Sequence, residues 1–155
     1  MANMLRISEA TTLALHTMAL LAQHGEKRFT NEVIAERLNA SGHHLAKVMQ
    51  QLARAGLVES QRGPLGGFRL SMSAEEVPLL QVFEVIEGPL SQGGCLLREP
   101  VCPGNTCMLG NMICRLQEQI HDFLANTTVA QFSRDLAISS AAANPRAAAA
   151  PHRGG

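Results

Sequence analysis

The chain has 155 residues, 46% of them apolar, with equal numbers of Lys+Arg and Asp+Glu, no Trp or Tyr and only five Phe. That length holds one domain with an extension, no apolar run approaches the ~18 residues of a membrane span, and so few aromatics argue against a platform for stacking bases. The zero net charge conceals an asymmetry, because residues 1–72 carry eight Lys/Arg against five Asp/Glu, residues 73–138 carry three against eight, and two arginines in the tail restore the balance. A basic first half before an acidic second half predicts that only the first faces an anionic partner.

Nothing at the start supports export: Met1 to Met4 carries no positive charge, and the apolar positions of residues 5–22 are interrupted by Arg6, Glu9, Thr11, Thr12 and His16. A cytoplasmic location is therefore expected. Ser8 is placed to cap a helix running to about Gln23, with Leu13, Met18, Leu20 and Leu21 apolar and Gly25 as its stop. Glu9, Thr12 and His16 share one face of it. Such a stripe is either solvated or a source of a non-thiol ligand for the cysteines of a partner chain.

Thr30 caps a second predicted helix, Asn31 to Leu38, and Ser41 a third, in which Leu45, Val48, Met49 and Leu52 recur at helical spacing before Gly56. Two short helices joined by a tight Asn39-Ala40 link predict a helix-turn-helix, whose second helix enters the major groove. The opposite face of that helix offers His43, His44, Lys47, Gln50, Gln51 and Arg54. An ordinary solvated face mixes in acids, and this one has none, which suits base edges and phosphates.

Residues 57–70 read as two short strands around a Gly-Pro-x-Gly-Gly tip, making a winged helix. Arg62 and Arg69 are expected at the base of the wing, where they can neutralise phosphates or enter a minor groove, and its glycines permit close approach to a duplex. A nucleotide phosphate loop is the rival reading, but G-x-G-x-x-G and the Lys-Ser/Thr ending are both missing. The DNA-contacting set is thus Thr30 and Ser41 at two helix starts, His43, His44, Lys47, Gln50 and Arg54 on the third helix, and Arg62, Gly63 and Arg69 on the wing.

Pro78 is expected as the first residue of a helix that buries Leu79, Val82, Phe83 and Ile86 and stops at Gly88. From Cys107 to Ala125 the set Leu109, Met112, Ile113, Leu116, Ile120, Phe123 and Leu124 predicts a long amphipathic helix. Its apolar stripe must be buried against a second copy of the chain or against its own domain. Thr128 caps a last helix, Val129 to Ala137, and from Ser139 onward no apolar periodicity remains, so a disordered tail is expected.

All four cysteines, Cys95, Cys102, Cys107 and Cys114, fall in one stretch, separated by six, four and six residues. Pro100, Pro103, Gly104 and Asn105 let the intervening loop fold back so that thiols converge. Disulfides need an oxidising compartment, and a structural zinc site favours C-x2-C pairs, absent here. Wider gaps suit an iron-sulfur cluster. Cys107 falls where loop meets helix, so the helix dipole points at it and favours a thiolate. Cys114, beside Met112 and Ile113, reads as a small buried apolar side chain.

The stretch Leu52-x-x-Ala55-Gly56-Leu57-Val58, followed by Arg62-Gly63-Pro64-x-Gly66-Gly67-Phe68-x-Leu70, then Val82-x-x-Val85-Ile86-Glu87-Gly88 and the three-cysteine loop, resembles the Rrf-two family of bacterial winged-helix regulators, of IscR and NsrR type. The resemblance runs from about Leu5 to Ala137. It implies a mainly α fold with a small β wing, a homodimer built on crossing long C-terminal helices, and a double-stranded DNA operator. It further implies a 2Fe-2S or 4Fe-4S cluster on Cys95, Cys102 and Cys107, in some members completed by the other subunit's first helix. A histidine that some members carry three residues after the last loop cysteine is Gly110 here, and an aspartate of the first helix in others is Thr12. The fourth ligand stays open among Glu9, His16 and Cys114, the last displaced about 10 Å along a helix from Cys107. A cluster-free member would act as a thiol switch or through a protein partner. The expected division is a winged-helix domain over residues 1–90, a cysteine loop over 91–107, a dimerisation helix and C-terminal helix over 108–138, and a tail over 139–155. No convincing acid-base set is present, so an enzyme is not expected.

Overall fold

The computed structural model describes residues 7–90 and 107–136. Its elements in chain order are α1 (Glu9–Gln23), α2 (Asn31–Arg37), α3 (Gly42–Arg54), β1 (Val58–Gln61), β2 (Gly67–Leu70), α4 (Leu79–Glu87), α5 (Met108–Asn126) and α6 (Val129–Asp135). Four helices start on hydroxyl caps that satisfy otherwise unpaired amides: Ser8 accepts from Thr11 N, Thr30 from Val33 N, Ser41 from His44 N, and Thr128 from Gln131 N in a full capping box. Cys95, Cys102, Ala137 and the tail lie outside the described residues.

The helix-turn-helix is fixed by backbone geometry. Asn39 takes a left-handed φ of 50° at the end of α2, and the Ala40 amide reaches back to the Ala35 carbonyl at 2.9 Å. Asn31 Nδ2 donates to the Gly42 carbonyl at 2.9 Å, tying the first turns of α2 and α3 together. β1 and β2 pair antiparallel from Val58↔Leu70 to Gln61↔Gly67. Phe29 adds a further rung, exchanging both backbone hydrogen bonds with Phe68 at 3.0 and 2.8 Å. Its ring is buried, with the Lys27 ammonium and the Arg37 guanidinium over it, so the wing is anchored at its root to the loop between α1 and α2.

One core runs through the described residues, with α1 at its centre packing on α3, α4 and α6. Met18, Leu20 and Leu21 of α1 meet Leu45, Met49 and Leu52 of α3, Val82 of α4 and Val129 of α6. The last helix therefore returns to the first, where Gln23 Nε2 donates to the Ser133 carbonyl at 2.8 Å. Pro78 is not the first helical residue but the cap of α4, extended at φ −70° and ψ 148°. The reason is a bridge to Thr128: the Leu79 amide donates to Thr127 and the Val129 amide to Val77, which holds Pro78 straight.

α5 packs on α4 along one line and leaves another uncovered. Ile113 and Leu124 are buried and Ile120 is partly so, whereas Met108, Leu109, Met112 and Phe123 are 84%, 54%, 45% and 62% exposed. No helix among the described residues is long and apolar enough to cross a membrane.

Candidate nucleic-acid interface and cysteine site

α3 divides cleanly into two faces. Leu45, Val48, Met49 and Leu52 are buried, while His43, Lys47, Gln50, Gln51 and Arg54 point to solvent. Arg62 and Gly63 are exposed at the tip of the wing, not its base, because the strand pairing runs on to Gln61↔Gly67 before the turn. Among the described residues Lys47, Arg54 and Arg62 have no acid within ion-pair distance, so their charges are available to an outside anion. Thr30 and Ser41 are both occupied as caps. At the start of α2 the Glu32 carboxyl is held below its ordinary range, first by its own backbone amide and then by the Thr30 hydroxyl. The Thr30 and Ser41 hydroxyls thus serve to fix the first turns of α2 and α3.

His44 and Arg69 face acids of their own chain. His44 Nδ1 lies 3.8 Å from the Glu9 carboxylate, linking the first turns of α3 and α1. Arg69 is bonded to both Glu59 and Glu26, and Glu59 also accepts from Arg28 at 2.6 Å. This acid-base group spans β1, β2 and the loop before α2. Arg69 therefore braces the root of the wing. The Glu9–His44 and Glu26–Arg69 contacts have no sequence signal, since each joins residues far apart in the chain, whereas Glu59 and Arg69 are opposite partners in the hairpin.

Cys107 is the N-cap of α5, and its Sγ accepts from the Gly110 amide at 3.3 Å. A sulfur so placed, at the positive end of a 19-residue helix, suits a thiolate that binds a cationic centre. Cys114 lies two turns along the same helix and is half-buried. Of the non-thiol candidates, Glu9 is held near His44, while His16 Nδ1 lies 2.7 Å from the Thr12 carbonyl and its ring meets Phe132 edge-on. With Nδ1–H donating to that carbonyl, Nε2 carries the lone pair, the tautomer that metal ligation needs. Among the described residues no three His, Cys, Asp or Glu side chains converge as a metal site. The predicted trio cannot be placed together, because two of its cysteines lie outside those residues.

A helix-turn-helix with a two-stranded wing, an acid-free outer face on its second helix and a long C-terminal helix defines a winged-helix regulator. The sequence matches the Rrf2 family, described as iron-dependent transcriptional regulator, over residues 7–135, and the chain belongs to that family. The HTH-type transcriptional regulator NsrR of Shouchella clausii is 31% identical over 122 residues, 78% of each chain. Among solved structures, CymR of B. subtilis, described as its global cysteine regulator, superposes with a TM-score of 0.70 at 28% identity, over 85% of this chain and 98% of that one. The IscR of T. potens gives a TM-score of 0.68 at 25% identity, covering 84% and 88%.

Proposed function

We propose that this transcriptional regulator binds an operator in double-stranded DNA as a homodimer, with an affinity set by an iron-sulfur cluster on Cys95, Cys102 and Cys107. The exposed, acid-free face of α3 carries the DNA reading: His43, Gln50 and Gln51 hydrogen-bond base edges, while Lys47, Arg54 and Arg62 neutralise phosphates. Gly63 lets the wing approach the minor groove closely, His44 orients α3 through Glu9, and Arg69 holds the wing. The uncovered stripe Leu109, Met112 and Phe123 of α5 supports the dimer, which presents two recognition helices to a palindromic site.

For the cluster, the support is Cys107 at the start of α5, a thiolate position by its amide partner and helix dipole. A bound cluster supplies a centre that responds to redox state, iron or sulfur status, or nitric oxide. His16 is the non-thiol side chain whose tautomer suits the fourth position, supplied to the partner subunit's cysteines. A second reading draws on the likeness to CymR, a cysteine regulator: a cluster-free protein acting as a thiol switch or through a protein partner. Purification without oxygen, with visible absorption and iron and sulfide counts, separates the two. Cluster-bearing and apo protein should differ about 5- to 150-fold in operator affinity in gel-shift titrations. Iron-free, colourless protein whose Cys95→Ala, Cys102→Ala, Cys107→Ala triple variant regulates normally would remove the cluster and leave the DNA-binding reading.

A further inference from the structure

Control of DNA binding from the cysteine segment requires a physical link from that segment to α3. Glu87 stands at its start. It is the last residue of α4, which stops at Gly88 with a φ of 83°, three residues in sequence before the segment that carries the cysteines. The Glu87 Oε1 atom accepts two hydrogen bonds from the beginning of α1, one from the Ser8 amide at 3.0 Å and one from the Thr11 hydroxyl. Thr11 is fully buried, so the carboxylate meets a fixed donor. The Ser8 hydroxyl satisfies the Thr11 amide at 3.1 Å, so Glu87 completes the cap of α1 from another helix by taking the Ser8 amide, and its bond from the Thr11 hydroxyl comes in addition. One residue further, Glu9 reaches to 3.8 Å from His44 in the first turn of α3. Hydrogen bonds to a carboxylate are about twice as strong as neutral ones, so this contact can hold two elements in register.

We infer that Glu87 is a positioning residue, a latch through which the state of the cysteine segment is passed to α1 and from there to the recognition helix; the inference rests on the cluster-sensing reading above. With the latch closed, the end of α4 fixes the first turn of α1, and α1 is joined to α3 through their shared core of Leu20, Leu21, Leu45 and Met49. A displacement of residues 88–90 breaks the bonds from Ser8 and Thr11 to the carboxylate, and α1 loses its reference to the end of α4. Coupling of this kind needs a two-state contact that both sites bias, and a hydrogen-bonded carboxylate at the junction of two helices is one.

The test compares wild type, Glu87→Ala, Glu87→Gln and Thr11→Val, each as apo protein and as protein reconstituted with iron and sulfide without oxygen. Readouts are operator affinity, iron content and melting temperature. Wild type should show the 5- to 150-fold difference between forms, and Glu87→Ala should reduce it to under twofold while loading iron normally. Glu87→Gln retains an oxygen that accepts both bonds and should keep most of the difference. A side chain of merely structural importance would lower stability and affinity in both forms alike, leaving their ratio unchanged. Should Glu87→Ala fail to fold or to load iron, Thr11→Val, which removes one hydroxyl and keeps the buried volume, decides: it should reduce the ratio, and an unchanged ratio overturns the latch. A wild type with one affinity for both forms overturns the cluster reading and the latch together, whereas a full ratio in Glu87→Ala overturns the latch alone.

Discussion

A methyl group on residue 67 would lie 2.7 Å from the backbone carbonyl of Phe29, and Gly67 holds a φ of 133° that side chains other than glycine avoid. Both constraints come from the rung between Phe29 and Phe68, which brings two backbones too close for a Cβ. Gly67→Ala must therefore break that rung or distort the wing. Its cost is expected at about 2 to 3 kcal/mol, read as a lower urea midpoint at constant slope. Operator affinity of the residual folded protein should fall as well, since Arg62 and Gly63 lose their fixed seat. An alanine variant with an unchanged midpoint would show that the root of the wing is loose. The sequence contains the glycines but not their reason, because the obstacle belongs to a residue 38 positions earlier. Phe29 sits in a single isolated bridge, too short for a strand pattern to reveal.

α5 carries two apolar lines, and only one is covered. Replacing Met112 and Phe123 with Glu leaves Ile113, Ile120 and Leu124 untouched against the domain and places charge on the uncovered line. Sedimentation equilibrium should then give a monomer with an unchanged circular dichroism spectrum. Affinity for a two-half-site operator should drop on the order of 100-fold or more, since the second half-site is no longer bound in tandem. A dimer that survives both substitutions would place the interface elsewhere. The elements themselves were legible because their signals are local: Ser8, Thr30, Ser41 and Thr128 cap where expected, and Gly25, Gly56 and Gly88 fall at the helix ends they were expected to mark. What local pattern cannot carry is pairing over distance. The Pro78–Thr128 bridge that moves the start of α4, the Arg69 contact with Glu26, and the bonds that Glu87 accepts from Ser8 and Thr11 all depend on tertiary neighbours. The face of α3 was readable for the opposite reason, since absence of acids along one helix face is itself a local pattern.

At the scale of the whole molecule, the division of charge between halves fixes how binding should respond to salt. Among the described residues Lys47, Arg54 and Arg62 are the unpaired cations on the proposed reading face, so the proposed dimer would bring twice that set to the duplex. Each phosphate neutralised contributes about −0.9 to the slope of log K against log salt, giving a slope of about −5 and a loss of about 10³ in affinity between 50 and 200 mM. The proposed mode of binding keeps the acidic second half away from the phosphates. Charge reversal on its exposed surface, Glu118→Lys with Asp122→Lys, should leave the slope unchanged, while Lys47→Ala should reduce its magnitude by nearly two units, one contact in each subunit. The monomeric α5 variant, with one reading face, should show about half the parent slope. If instead the reversal on α5 steepened the slope, the long helices would lie along the DNA, and the division of labour between the two halves would have to be redrawn.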